Sequence, residues 1–327
     1  MRQPCRLATF AAIAIAALFA NSATAQDFSG KTITLVVPFS PGAVSDPLAR
    51  TIGARFGEIL GAKVIVENRP GANTNIGTAH VAKAQPDGRT LLLAGTALIV
   101  NVAFYKDKLP FDPIKDFAPV SLAATTNSAL VVHPGLNVTT LPEFVKLVQS
   151  RPGQFNYASA GSGNMTHLAM EFFKLRIGAT ITHVPYKGAG PALNDVIAGH
   201  VPMMIISPGP TEAHVKAGRL HALAVTGRKR IDILPGVPTF TEMGLAMPEV
   251  DFGTTFGILA PAGTPQDIVV RLNAAIQQAL QEPELRGRIK SMGFEAAPTT
   301  PQEYQDILRS QLLKWPPLIE RAGITLN

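Results

Sequence analysis

Ten short segments of the chain read as strands, most of them continuous in apolar or β-branched residues, and the stretches between them repeat apolar residues at helical spacing. The predicted strands are 33–38, 63–67, 90–94, 120–123, 129–132, 156–158, 181–184, 203–206, 222–226 and 256–260. Continuous rather than alternating runs mean that both faces of a sheet are covered, which predicts an α/β architecture with parallel strands. One predicted helix, starting at Pro47, carries Leu48, Ile52, Phe56 and Ile59 along one face and stops near Gly61. Asp46-Pro47, Thr264-Pro265 and Thr300-Pro301 each set a capping residue before a proline in the first turn, where the missing N–H costs nothing. Asp267 and Glu303 complete capping-box patterns in the last two.

Two of the strands end alike. LVVPFSPGAVSDPLARTIGARF, from Leu35, and NYASAGSGNMTHLAMEFFKL, from Asn156, each run from a strand through a loop of small residues into an amphipathic helix. Such a loop turns unpaired N–H groups and the positive end of a helix dipole toward whatever lies above it, which suits an anion. Strand ends that open into helix N-termini are also where open α/β sheets bind ligands. Two of these loops in one chain point to a carboxylate held from both sides, without an Arg ion pair. Within them, Asp46 reads as a helix N-cap, a role compatible with ligand contact. Ser159, Ser162 and Asn164 are either turn residues or contacts, and His167, in the first turn of the second helix, lies within reach of a bound group. Lys187 reads as a solvated loop lysine.

The N-terminus fixes the compartment. Arg2 and Arg6 precede an apolar run at 7–20, and Ala23-Thr24-Ala25 is a small-residue cleavage pattern, so 1–25 is a secretory signal peptide cut after Ala25. The run is shorter than the ~20 residues that span a bilayer. Cys5, the single cysteine, is removed with it, leaving no disulfide, thiol nucleophile or Cys-bound metal. The mature chain, roughly 300 residues, exceeds what one core serves, so two domains are expected. Removing Arg2 and Arg6 takes the formal charge from +6 to +4, a mild preference for anionic ligands. That charge is dispersed and aromatics are few, which leaves nucleic-acid binding unsupported.

Familiar catalytic patterns fail on inspection. Ser29-Gly30-Lys31-Thr32 imitates a P-loop, but Ala25 stands where its first Gly belongs and a strand follows rather than precedes it. Around Gly161-Ser162-Gly163, Ala160 and Asn164 break a nucleophile elbow and Thr166 breaks G-x-G-x-x-G. The seven histidines show no H-x-x-x-H or H-E-x-x-H spacing, so no metal site and no cofactor are expected.

The segments VVPFSPGAVSD, VIVENRPGAN, AKAQPDGRTLLLAG, NYASAGSGNMTHLAMEFFK, HVPYKGAGPALNDVIAGHV, LAVTGRKR, LPGVPTFTEMG and ILAPAGTPQDIVVRLNAAI, in this order, resemble the substrate-binding proteins of tripartite tricarboxylate transporters, the Bug family of Bordetella uptake genes. The resemblance implies a non-catalytic periplasmic receptor of the type II binding-protein fold, in which two α/β lobes joined by two crossover strands close on a small organic acid. Lobe 1 would comprise 26–124 and 254–327, and lobe 2 would comprise 125–253. The family's ligand loops fall on the two loops above. They make Phe39, Gly42, Ala43, Ser45 and Asp46, with Ser159, Gly161, Gly163, Asn164 and His167, and Tyr186 of HVPYKG, the candidate ligand-binding residues. The implied partner is an integral membrane permease, and the implied state is a monomer. A receptor that signals to a sensor kinase is the alternative, and a secreted hydrolase a more remote one. Four positions depart from the family pattern: Ala43 replaces the second Gly of a pair, Asn164 a Ser, Asn73-Thr74 a Gly pair and Thr255 a Trp. Gly163→Val is expected to weaken binding more than His167→Ala, by blocking backbone donors.

Overall fold

The computed structural model describes residues 28–251 and 253–326. The signal peptide expected at 1–25 lies outside the described residues. Elements follow in the order β1 (Thr32–Val37), α1 (Ser45–Leu60), β2 (Lys63–Asn68), α2 (Asn75–Ala82), β3 (Thr90–Gly95), α3 (Ala97–Tyr105), β4 (Phe117–Thr126), β5 (Ala129–Val132), α4 (Leu141–Ser150), β6 (Phe155–Ser159) and α5 (Met165–Ile177). They continue with β7 (Ile181–Pro185), α6 (Ala189–Ile197), β8 (Met203–Ile206), α7 (Glu212–Lys216), β9 (His221–Val225), β10 (Thr254–Pro261), α8 (Gln266–Gln281), α9 (Pro283–Ser291), β11 (Glu295–Ala296) and α10 (Pro301–Arg321).

The strands form a six-stranded sheet, β11-β4-β10-β3-β1-β2, and a five-stranded sheet, β7-β6-β8-β5-β9. Read from its β2 edge, the first sheet runs β2-β1-β3-β10-β4, the same order as β7-β6-β8-β5-β9 in the second. This places β1 and β6 in equivalent positions, each between two parallel neighbours. The expected parallel pairing holds around β1 and β6, but the sheets are mixed: β10 is antiparallel to β3 and β4, and β5 to β8 and β9. These two strands bring the chain into one sheet from the other and therefore enter from the opposite end. A strand covered on both faces is apolar whichever way it runs, so its composition carries no direction.

Strand β1 illustrates that covering. Ile33, Leu35 and Val37 face a cluster with Ile52, Phe56 and Leu272, while Val36 faces the other way. The cluster on Val36's side continues through Leu92 to Leu130 and Tyr157 of the second sheet and Leu168 of α5, and takes in Trp315 and Ile319 of α10. Helix α10 therefore packs on elements of both sheets: Trp315 lies 6.2 Å from the Phe172 ring and Lys314 Nζ donates to Glu249 O at 2.9 Å. Among the described residues no helix is long and apolar enough to cross a membrane.

The chain leaves the first sheet between Thr126 and Ala129 and re-enters it at Thr254, which pairs with Thr126. Gly253 (φ +63°) sits where a Cβ would run into Thr126 O, so only glycine lets the two linkers pass.

Two helix starts differ from expectation. Helix α1 begins at Ser45 behind Val44, which places Asp46 inside the first turn and not at the N-cap. At α8 the Thr264–Asp267 capping box does not form, because the Thr264 hydroxyl donates to Pro261 O at 2.7 Å. The Thr300–Glu303 box forms, and another stands at Thr140–Glu143.

Candidate functional site

The β1–α1 connection holds the first group of candidates. Asn68 at the end of β2 donates to Phe39 O at 3.2 Å, and the Phe39 ring meets Phe256 edge-on at 6.3 Å. Gly42 takes φ +77°, after which Ala43 N–H bonds Ser40 O at 3.0 Å and Asp46 N–H bonds Ala43 O at 2.9 Å. Asp46 pairs with Arg50 at 3.1 Å. Burial alone would raise its carboxyl pKa, but bonds from Arg50 and Asn68, the Arg50 charge and the Gly42 N–H together lower it. Ser45 is 1% exposed and its hydroxyl has no hydrogen-bond partner among the described residues. A buried polar group left unpaired at a helix N-terminus is costly in isolation, and a bound anion would satisfy it.

The β6–α5 connection is organised differently. Gly161 and Gly163 adopt φ +126° and +81°. The donors expected to point outward are engaged within the loop. Ala160 N–H bonds Thr166 Oγ1 at 2.8 Å, Gly161 N–H bonds Ser159 Oγ at 3.2 Å and Gly163 N–H bonds His167 Nδ1 at 3.1 Å. Asn164 caps α5 by accepting from the N–H groups of Thr166 and His167. Its Nδ2 makes no bond among the described residues and remains available, on a half-buried side chain.

Beneath this loop lies a buried polar stack. His167, 2% exposed, stacks on His183 at 4.1 Å, and His183 on Tyr157 at 4.9 Å. The Tyr157 hydroxyl donates to Glu171 at 2.5 Å, and Lys174 Nζ donates to the same carboxylate at 2.6 Å. Burial, and then the neighbouring His183, push the His167 pKa down to about 4. His167 is therefore neutral, which its role as acceptor of the Gly163 N–H requires. Tyr186 belongs to the same side: its N–H bonds Ser159 O at 3.0 Å and its hydroxyl bonds Asp195 at 2.6 Å.

Ser159 Oγ lies 2.6 Å from His183 Nε2, the contact a hydrolase needs between nucleophile and base. Ser159 is fully buried, its oxygen already takes the Gly161 N–H, and His183 Nδ1 has no partner among the described residues to orient the ring. The pair holds the loop in shape.

The second loop touches the first sheet's side of the molecule at Gly163. A Cβ there would lie 2.7 Å from Leu326 Cδ2 and 3.1 Å from both Asn73 Nδ2 and Phe104 Cε2. Because the Gly163 N–H is already engaged, a bulky residue here acts through collision with those groups and not by masking a donor. The partner turn, at 71–74, follows β2 and was singled out in the sequence only as a departure from a glycine pair. Asn101 of α3, which binds that turn, was missed. Its signal was a lone amide inside the apolar run ALIVNVAFY, a polar group that must find partners once buried.

A cavity of about 540 Å³ is lined by Asn127, Arg228, Lys229, Asp232, Asp251 and Glu295, among others. By strand order it adjoins β9 and β11, across the linkers from β1 and β6, and none of the candidate residues line it. Among the described residues, no three His, Cys, Asp or Glu side chains are grouped to hold a metal ion.

Residues 48–324 match the profile of the Tripartite tricarboxylate transporter family receptor. The chain belongs to this family. Among curated relatives it is 38% identical to a protein of the tcbD-tcbE intergenic region of Pseudomonas sp. strain P51, covering 92% of this chain and 89% of the relative. It is 32% identical to BugT of Bordetella pertussis, covering 93% of each. Among solved structures, Rpa4515 of R. palustris, described with adipate, has 33% identity and a TM-score of 0.85 over 90% of this chain and 98% of that one. MatC of Rhodopseudomonas palustris, described with bound malate, has 31% identity and a TM-score of 0.81 over 88% and 99%. The receptor thus has the two-lobed type II fold of periplasmic binding proteins, and its β1–α1 and β6–α5 loops stand at the equivalent switch points of the two sheets.

Proposed function

We propose that this receptor is a periplasmic protein that captures a small organic acid in the crevice between its lobes and delivers it to an integral membrane permease. It is exported by a signal peptide cut after Ala25, acts as a monomer and catalyses no reaction. Lobe 1 spans 26–124 and 254–327, lobe 2 spans 125–253, and the linkers beside Thr126 and Gly253 act as the hinge.

The reading is carried by one observation: equivalent loops end the interior strands β1 and β6, and the first keeps the buried Ser45 hydroxyl unpartnered. The acid's carboxylate takes bonds from that hydroxyl and the N-terminus of α1 on one side, and from Asn164 Nδ2 on the other. Phe39, Gly42 and Ala43 shape the near wall, and Asp46 braces it through Arg50. Ser159, Gly161, Gly163, His167 and Tyr186 hold the far loop rigid. Hydrogen bonds to a charged group contribute about 1.5–3 kcal/mol each. Four near the upper value supply about 12 kcal/mol and, less an association cost of about 4, reach roughly −8 kcal/mol, a micromolar affinity suited to scavenging. That relatives of this fold are described with adipate and malate supports a carboxylate as the ligand.

The test is titration calorimetry with a panel of mono-, di- and tricarboxylates and aromatic acids. Micromolar binding of at least one acid is expected. Tight binding confined to neutral sugars or cationic peptides would overturn the assignment.

A further inference from the structure

Three successive residues of the turn after β2 have left-handed backbones although none is glycine: Ala72 at φ +45°, Asn73 at +49° and Thr74 at +77°. Such a conformation costs an L-residue free energy, and it is rarest for a β-branched one such as Thr74. Strain of this kind persists only where the surroundings enforce it, and it gathers at sites of function.

The enforcing group is Asn101, which is fully buried. Its Nδ2 donates to Asn73 O at 2.6 Å and to Asn75 Oδ1 at 2.7 Å, and its Oδ1 accepts from Asn73 Nδ2 at 2.6 Å. The turn stands between the two candidate loops. A Cβ on Gly77, just beyond it, would press on Pro38, and Asn73 is one of three side chains set against Gly163, with Leu326 and Phe104. Two polar groups of the turn are uncommitted. Thr74 is 5% exposed, and neither its hydroxyl nor Asn73 Oδ1 makes a hydrogen bond among the described residues.

We propose that Asn73 and Thr74 form a third wall of the crevice and select a short hydroxy-dicarboxylate over a longer, unsubstituted one. The inference rests on the carboxylate-receptor reading. The Asn73 carbonyl oxygen accepts a hydrogen bond from the ligand's hydroxyl, and the Thr74 hydroxyl donates to its distal carboxylate. Together the two side chains fill space that glycines would leave to a longer chain. A site built around a ligand hydroxyl discriminates strongly against an analogue lacking it, because its own polar groups are then left unpaired.

The experiment is calorimetry with malate, succinate and adipate on the wild-type protein, Asn73→Gly, Thr74→Gly and the double variant, each with a thermal melt. The wild type is expected to prefer malate to adipate by about tenfold or more, and the double variant to bring the three acids within about threefold. Relief of the left-handed strain is expected to raise the melting midpoint of Thr74→Gly, whereas Asn73→Gly also leaves the buried Asn101 Oδ1 unpaired and is not expected to gain stability. A raised midpoint with the wild-type order of acids retained would make the turn purely structural and overturn the inference. A wild-type preference for adipate would overturn it as well. Failure of the wild type to bind any of the acids tried here or in the wider panel would overturn the receptor reading, and this inference with it.

Discussion

Acidification tests whether the second loop depends on a neutral His167. The His167 pKa falls from 6.5 to about 4, and the causes, burial first and then His183, both disfavour the cation. The groups facing the ring pair from α5 are Glu171, which opposes the shift, and Lys174, which adds to it. His183 is shifted in the same direction. Above pH 6.5 the ring is neutral in both folded and unfolded chains, so it adds no pH dependence. Between pH 6.5 and about 4 the unfolded chain binds the proton and the folded one does not, so stability falls as pH falls. At about 1.4 kcal/mol for each unit, the whole shift corresponds to roughly 3 kcal/mol, of which about 2 is lost by pH 5, before most carboxylates titrate. Urea denaturation from pH 7 to pH 5 reads this directly. His167→Gln keeps a side chain able to accept a hydrogen bond but removes the titration, and should flatten the slope to the residual contribution of His183. A stability flat across that window, or a slope unchanged in His167→Gln, would refute the account of the loop.

Two substitutions separate the sides of the crevice. Gly163→Val meets Leu326, Asn73 and Phe104, and overpacking of about 1–3 kcal/mol lowers acid affinity about 5- to 150-fold. Calorimetry should show part of the loss restored by Leu326→Ala in the same chain, and wild-type affinity in Gly163→Val would contradict it. Ser45→Ala removes a hydroxyl with no internal partner, so folding stability should hold or rise while acid affinity falls by about tenfold or more. Unchanged affinity by calorimetry would remove Ser45 from the site.

The fold was legible wherever a segment was long enough to carry a period. The strands at 129–132 and 203–206 coincide with β5 and β8, and α1 buries Leu48, Ile52 and Phe56 before stopping at Gly61. Strand β4 extends past its apolar centre on both sides because Pro119 and Thr125 pair with β10, a partner more than a hundred residues away. Strand β11 has two residues, too few for any pattern. Strand direction was not legible, since burial on both faces erases the alternation that would report it.

The two candidate loops were legible as strand-to-helix connections but not in their bonding. Small residues between a strand and a helix located both loops, yet composition could not say whether their amides point outward or inward. Helical spacing held part of the answer. Gly163 and His167 are four apart, the same interval that joins Asp46 to Arg50, so each loop is tied by a side chain one turn into its own helix. The tie differs in kind. Arg50 acts on a side chain and leaves the N-terminus of α1 with a free hydroxyl beside it, whereas His167 consumes a backbone donor. Two loops built alike in sequence thus become unlike in chemistry, one retaining an open polar group and the other supplying a rigid wall with a single amide to spare. Asn101 extends the same logic to the turn after β2: one buried amide, making three bonds, holds a backbone that glycine would adopt unaided.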